Sequence, residues 1–319
     1  MQSTSLASRI SVVVLTHNRA DELTVTLKHL LELPEKPPIF VADNASADNT
    51  VTLVTTRFAN VRVIECESNL GAAGRNRAAS CVDTEYVAFC DDDTWWEPGS
   101  LEQATRLLDA WPTVGVLSAR VVVGDHQSID PTCAAMRFSP LGNEGLPGPA
   151  LTGYMAGACV FRTSLFHEVG GYEPRLFIGG EEELVALDVL ESGHCIVYCD
   201  QLTVHHRPSS VRDSGLRRRM LARNAAWIAW LRLPWPRAFT ATLYALVVLT
   251  REGMLLNGGV ELLRGLRWAI AQRAVVSTAV LALRERVRRG ERAASAAAAQ
   301  AVRTERAQKH AESRVGSRI

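Results

Sequence analysis

The chain has 319 residues, 47% of them hydrophobic and 22% charged, with a formal net charge of +1. That length supports one large or two smaller domains around a sizeable core, the composition is that of an ordinary globular protein, and nothing in the charge points to nucleic acid. The seven cysteines, at positions 66, 81, 90, 133, 159, 195 and 199, form no C-x-x-C pair, and several sit in apolar runs, so a reducing compartment and no structural zinc are expected.

Residues 1–9 are polar and lead straight into a strand, so no secretory leader is expected, and no uncharged run reaches the ~20 residues of a membrane span. The expected location is the cytoplasm, with the inner face of the cell membrane as its extension. Ile10 to Thr16 is a β-branched run suited to a buried parallel strand, and it ends in Thr16-His17-Asn18-Arg19. Asp21 then precedes a helical pattern with Leu23, Leu27, Leu30 and Leu31 on one face and Pro34 as its stop. Ile39 to Asp43 repeats the strand, followed by a turn-rich 44–50 segment and a helix to about Phe58. Val61 to Glu65 is a third strand, Asn69-Leu70-Gly71-Ala72-Ala73-Gly74-Arg75-Asn76-Arg77 opens a third helix, and Tyr86 to Cys90 is a fourth strand. Strands and helices alternating every ~20 to 25 residues predict an α/β fold with a mostly parallel sheet and helices on both faces.

Asp91, Asp92 and Asp93 follow the fourth strand directly. Three carboxylates at a sheet end repel one another unless a cation joins them, and a hard divalent ion, Mn2+ or Mg2+, keeps positions open for substrate phosphates. The competing reading is a solvated acidic turn capping the next helix, for which Pro98 suits the first position, although a cap needs only one carboxylate. Four strand ends, Thr16 to Arg19, Asp43, the Asn69 to Arg77 loop and Asp91 to Asp93, gather on the edge where open α/β sheets bind ligands, and together they can hold a nucleotide. Asp43 is placed to take a base or ribose hydroxyl and Arg75 to meet a phosphate or base carbonyl; an Asx-turn and a surface charge are the bland readings of the two. Neither G-x-G-x-x-G nor G-x-x-x-x-G-K-[ST] occurs, which argues against dinucleotide enzymes and P-loop NTPases.

A helix from Pro98 to Trp111, a strand from Val114 to Val123 and a Gly/Pro-rich functional loop over 124–149 come next, and a small apolar stretch at 152–162 resumes the sheet. Gly179-Gly180 then free the backbone ahead of Glu181-Glu182-Glu183, the first turn of a helix with Leu184, Leu187 and Leu190 on its apolar face. Such glutamates can simply favour the helix dipole, or one of them can serve as a general base aimed at an acceptor hydroxyl. Strand residues Cys195 to Tyr198 lead to His205 and His206; neighbours on a strand face opposite ways, so at most one joins the carboxylates at a metal, and His205 is the choice. Arg217 to Trp235 and Ala238 to Leu249 are either helices that cover the core or an amphipathic surface resting on a membrane. From Arg284 onward ten Arg or Lys stand against four Glu, an Ala-rich tail expected to be frayed helix or disorder and attracted to anionic lipid.

Val12-Val-Val-Leu-Thr-His-Asn-Arg19, Val41-Ala-Asp-Asn-Ala-Ser46, Asn69-Leu-Gly-Ala-Ala-Gly-Arg-Asn76, Asp91-Asp-Asp93 and the Gly-Glu-Glu cluster stand in the order seen in the inverting family-2 glycosyltransferases, and over residues 9–210 the chain resembles bacterial rhamnosyl-, galactofuranosyl- and related transferases. The resemblance implies a GT-A fold in residues 1–210, with a nucleotide-sugar half (9–123) and an acceptor and base half (124–210), followed by a helical extension (211–283) and the basic tail (284–319). It implies that the donor, a UDP, dTDP or GDP sugar, meets Thr16, Asn18, Arg19, Asp43, Asn69, Gly71, Arg75, Asp91 and Asp92, and that Asp91, Asp93 and His205 hold Mn2+ or Mg2+. The acceptor it implies is a glycan or lipid-linked hydroxyl of cell-envelope polysaccharide. Many relatives carry Glu-Asp where this chain has three glutamates, so the base is Glu181 or Glu182 according to the alignment. A sugar-nucleotide nucleotidyltransferase and a non-catalytic glycan- or nucleotide-binding relative are the alternatives; the absence of a Gly-rich basic loop after the first strand and the two intact acidic clusters weigh against them.

Overall fold

A computed structural model describes residues 6–124, 126–208 and 214–316. β1 (Ile10–Thr16), α1 (Ala20–Glu32), β2 (Ile39–Asp43), α2 (Thr50–Arg57), β3 (Val61–Glu65), α3 (Gly74–Ala79) and β4 (Tyr86–Asp91) alternate in the predicted order. Val12, Val13 and Val14 are all fully buried, which is why β1 reads as a continuous apolar run: helices cover both faces of the strand. Helix α1 buries Leu23, Leu27 and Leu30 on one stripe and stops at Leu33, because the residue before Pro34 is pushed out of the helical region. The strands β3, β2, β1 and β4 are parallel neighbours, so their carboxyl ends share an edge: Thr16 pairs with Asp43, and Leu15 with Asp91.

β5 (Thr94–Trp96), α4 (Ser100–Ala110), β6 (Val114–Val123), β7 (Ser128–Ile129), α5 (Pro131–Arg137), β8 (Ala150–Leu151), β9 (Ala158–Arg162), α6 (Thr163–Glu168), α7 (Glu181–Glu191) and β10 (Cys195–His206) complete the α/β body. The 124–149 stretch, expected as one long loop, therefore carries short structure of its own. The sheet runs β3-β2-β1-β4-β9-β6-β10-β5 and is mixed, since β9 is antiparallel to both β4 and β6. β5 follows β4 in sequence yet pairs with β10 at the other end of this order, so the sheet curls until its last strand returns to the acidic turn. All seven cysteines are free.

α8 (Ser214–Arg232), α9 (Trp235–Arg251), α10 (Leu255–Ala271) and α11 (Thr278–Gly316) follow. They build a second apolar core from Trp227, Ile228, Leu249 and Leu262 that takes in Leu184 and Leu187 of α7, while Val185, Ala186 and Val189 of the same helix belong to the sheet core. Helix α7 is thus clamped between the two cores, which is what buries its first turn. The domain boundary expected at 210 lies outside the described residues. α11 passes position 284, the expected start of a frayed or disordered tail, without a break, and positions 317–319 lie outside the described residues. Among the described residues no helix is long and apolar enough to cross a membrane.

Candidate active site

At the end of β2, Asp43 is buried; one carboxylate oxygen accepts the backbone N–H of Ser46 at 3.0 Å and the other, Oδ1, has no partner. An unmatched buried carboxylate oxygen is costly, so a donor such as the N–H of a base fits there. The loops around it are keyed to one another. Asn18, in the left-handed region at φ 54, donates its backbone N–H to Ser46 Oγ (2.9 Å) and accepts from the Ala47 N–H at 2.6 Å. Buried Asn44 donates to the carbonyl of Gly71 at 2.8 Å, and exposed Asn69 accepts the Gly71 N–H at 2.9 Å.

The acidic turn does not gather its three carboxylates on one point. Asp91, whose side chain keeps 41% exposure, is ion-paired with buried Arg75, and Gly157 leaves it the room: a Cβ there would stand 2.3 Å from Asp91 Oδ2. Asp92 points inward, accepting from Thr16 Oγ1 at 2.9 Å and meeting Arg19 at 2.7 Å. Burial, aided by the flanking aspartates and opposed by Arg19, pushes Asp92 up to about 7. Its surroundings make it a buried brace between the ends of β1 and β4. Asp93 meets Arg19 at 3.2 Å and His206 at 3.7 Å, and despite its burial these two neighbours hold it below the usual carboxylate value. The cation that the triplet was expected to need is supplied in part by two guanidinium groups.

His205, the histidine chosen from the sequence, is not the one brought to the acidic turn. The β5–β10 register pairs His206 with Thr94 and His205 with Trp95. His206 thereby lies beside Asp93, whereas His205 stacks on Trp95 at 5.8 Å and faces Glu97 at 3.6 Å, on the other side of the strand. Among the described residues no group of three or more His, Cys, Asp or Glu side chains is placed to hold a metal by itself. Asp91, Asp93 and His206 nevertheless offer oxygen and imidazole donors of the kind that suits Mn2+ or Mg2+, ions that retain positions for water and phosphate.

The second acidic cluster resolves residue by residue. Glu183 pairs with Arg284 of α11 and so fastens α11 to α7. Glu181 is buried and its Oε2 has no hydrogen-bond partner; burial, with Glu182 beside it, pushes its carboxyl up to about 7. Burial also raises Glu182, and Arg75 lies close enough to lower both. Arg75 therefore joins Asp91 to the base candidates. The helix starts from Gly179 and Gly180 at φ 92 and 90, a left-handed pair that L side chains rarely adopt.

The loop ahead of Glu181 is held from two sides that the sequence did not announce. Phe177, at φ 61, accepts the Ala72 N–H at 2.7 Å, and Gly71 is required opposite it. From α8, fully buried Asn224 donates to the carbonyls of Leu176 (2.8 Å), Ile178 (3.2 Å) and Gly179 (2.7 Å), and Arg223 donates to Leu176 as well. The only sequence signal for Asn224 is a polar residue at the head of the apolar, Trp-bearing stretch 225–231.

A curled mixed sheet that gathers its parallel strand ends, an acidic turn and a buried glutamate around one arginine defines a GT-A glycosyltransferase. The family model described as "Glycosyl transferase family 2" matches residues 11–170, half of the chain, and the chain belongs to that family. It is similar to the N-acetylglucosaminyl-diphospho-decaprenol L-rhamnosyltransferase of Mycobacterium tuberculosis, 26% identical over 240 residues that cover 63% of this chain and 77% of the relative. The O-antigen chain rhamnosyltransferase WbaN of Salmonella anatum is 25% identical over 179 residues, 53% of this chain and 56% of the relative. The fold is shared with the mannosyltransferase PcManGT from Pyrobaculum calidifontis in complex with GDP-Man and Mn2+ (TM-score 0.55, 18% identity, 82% of this chain and 74% of that one). It is shared equally with S. aureus TarS in complex with UDP-GlcNAc (TM-score 0.55, 16% identity, 82% and 90%).

Proposed function

We propose that this glycosyltransferase is metal-dependent and inverting, and that it moves a sugar from a nucleoside-diphosphate donor to a hydroxyl of a glycan or lipid-linked acceptor in cell-envelope polysaccharide synthesis. The observation that carries the reading is Glu181, a buried carboxylate with an open oxygen, raised to about 7 and close enough to Arg75, the ion-pair partner of Asp91, to feel its charge. A base poised near the working pH can both take and release a proton.

In this reading Asp43 accepts from the nucleotide base through its open Oδ1, while Thr16, Asn18, Arg19, Asn69 and Gly71 shape the loops around the donor. Arg75 counters negative charge on the diphosphate. Asp91, Asp93 and His206 would hold the divalent ion; when bound, the ion neutralises charge on the departing nucleoside diphosphate. Glu181 takes the proton of the acceptor hydroxyl while that oxygen attacks the anomeric carbon opposite the leaving group. One C–O bond forms as the glycosyl–phosphate bond breaks, and the configuration inverts. A polysaccharide or lipid-linked acceptor is supported by the relatives, one named for a diphospho-decaprenol acceptor and one for an O-antigen chain.

Calorimetric binding of UDP, dTDP and GDP, each with and without Mn2+, tests the reading. One nucleotide binding only with metal, and lost in Asp93→Ala, is the expected result. No binding of any nucleotide under either condition overturns it.

A further inference from the structure

We infer that α9 and α10 form a docking surface for an anionic lipid bilayer. Each helix buries small residues and a few leucines inward, Ala238, Ala245 and Leu249 in α9 and Leu262 and Ala269 in α10, and leaves the opposite row in solvent. On α9 that row is Trp235, Phe239, Leu243 and Val247, spaced four apart; on α10 it is Leu256, Val260, Leu263 and Ile270, spaced four, three and seven. Leu256 is 85% exposed, Leu243 64% and Leu263 63%. The two helices lie close to each other and to α8: a Cβ at Gly258 would meet Leu249, and one at Gly265 would meet Trp227. Adjacent apolar rows of this extent mark an interaction surface.

Charge decides what covers it. Residues 235–275 hold five arginines (237, 251, 264, 267 and 273) and two glutamates (252 and 261). Both glutamates are tied to α8, Glu252 to Arg218 at 2.9 Å and Glu261 to Arg223. Arg251, Arg264 and Arg267 are exposed and have no carboxylate partner among the described residues. A second copy meeting this face across a two-fold axis would bring the same unpaired arginines together from both copies, while Glu252 and Glu261 are already engaged with α8. Anionic headgroups match the same arginines, and Trp235 and Tyr244 are the ring types that favour the lipid–water boundary. With no described helix able to cross a bilayer, the hairpin lies on it.

Flotation of the full-length protein with phosphatidylcholine vesicles, and with vesicles that also contain phosphatidylglycerol, tests this. Binding at least about tenfold stronger to the anionic vesicles, weakening as salt is added, is expected. Leu256→Glu with Leu263→Glu, at positions exposed enough to leave the fold intact, abolishes binding, and Arg264→Glu with Arg267→Glu removes the preference for anionic lipid. Wild-type protein that floats with neither vesicle overturns the inference. So does a wild-type dimer in sedimentation that the double leucine variant dissociates, since a second copy then covers the face. Nucleotide binding in solution reads the transferase proposal separately, so either can fail alone.

Discussion

The side-chain amide of Asn224 donates to the carbonyl of Gly179 at 2.7 Å, two residues before Glu181. The same nitrogen serves Leu176 and Ile178, so one buried residue of the helical extension fixes the loop that aims the proposed base. Asn224→Ala leaves the buried carbonyl of Gly179 without its side-chain donor, while Arg223 still serves Leu176, a loss of about 1–3 kcal/mol in denaturant melts. It also frees Glu181 from the position proposed for it beside the acceptor hydroxyl. Expected in kinetics is a fall in kcat of about tenfold to a hundredfold with donor KM nearly unchanged.

Glu181→Gln separates chemistry from stability. Transfer is expected to fall to background, while wild-type kcat/KM rises with pH through about 7 as the carboxylate ionises. The folded protein holds this proton more tightly than the unfolded chain, whose glutamate titrates near the ordinary 4.5. The stability it contributes is therefore complete below that value and lost as pH rises to about 7. The Gln variant should melt close to wild type at pH 5 and above it at pH 8, by up to about 3 kcal/mol. Equal melting differences at both pH values would count against a buried, raised Glu181.

What could be read in the sequence was what repeats along it. β1, β2 and β4 announce themselves because strands covered on both faces need unbroken apolar runs, and Asp43 and the acidic turn follow at the ends of β2 and β4, while Arg75 opens the helix after β3. Pairings across long separations left no such mark. β5 is only three residues long, and its pairing with β10 decides which histidine reaches Asp93. Likewise the ion pair that occupies Glu183 comes from Arg284, 101 positions away.

The two histidines give a paired test. His206→Ala is expected to weaken Mn2+-dependent nucleotide binding at least about tenfold, as loss of one ligand or its support does. His205→Ala, which removes only the stack on Trp95 and the contact with Glu97, should stay within about twofold, the scale of a surface change. Metal titrations of both variants by calorimetry read the difference, and the reverse order would return His205 to the site.

Gly71→Ala probes the joint between the 69–75 and 176–180 loops. Gly71 sits at φ 59, and a Cβ there would lie 2.1 Å from the carbonyl oxygen of Phe177, which accepts the neighbouring Ala72 N–H. Neither backbone can yield without breaking that hydrogen bond, because Phe177 is itself held at φ 61 and its flanking carbonyls, Leu176 and Ile178, are gripped by Asn224. Strain of this kind costs about 1–3 kcal/mol. Its cheapest relief is to part the 69–75 loop from the 176–180 loop. The variant should remain folded, with a lower melting temperature, and should lose nucleotide affinity and kcat together, since in the proposed reading the first loop faces the donor and the second leads into Glu181. A variant that melts lower but keeps both constants would show that the two loops act independently.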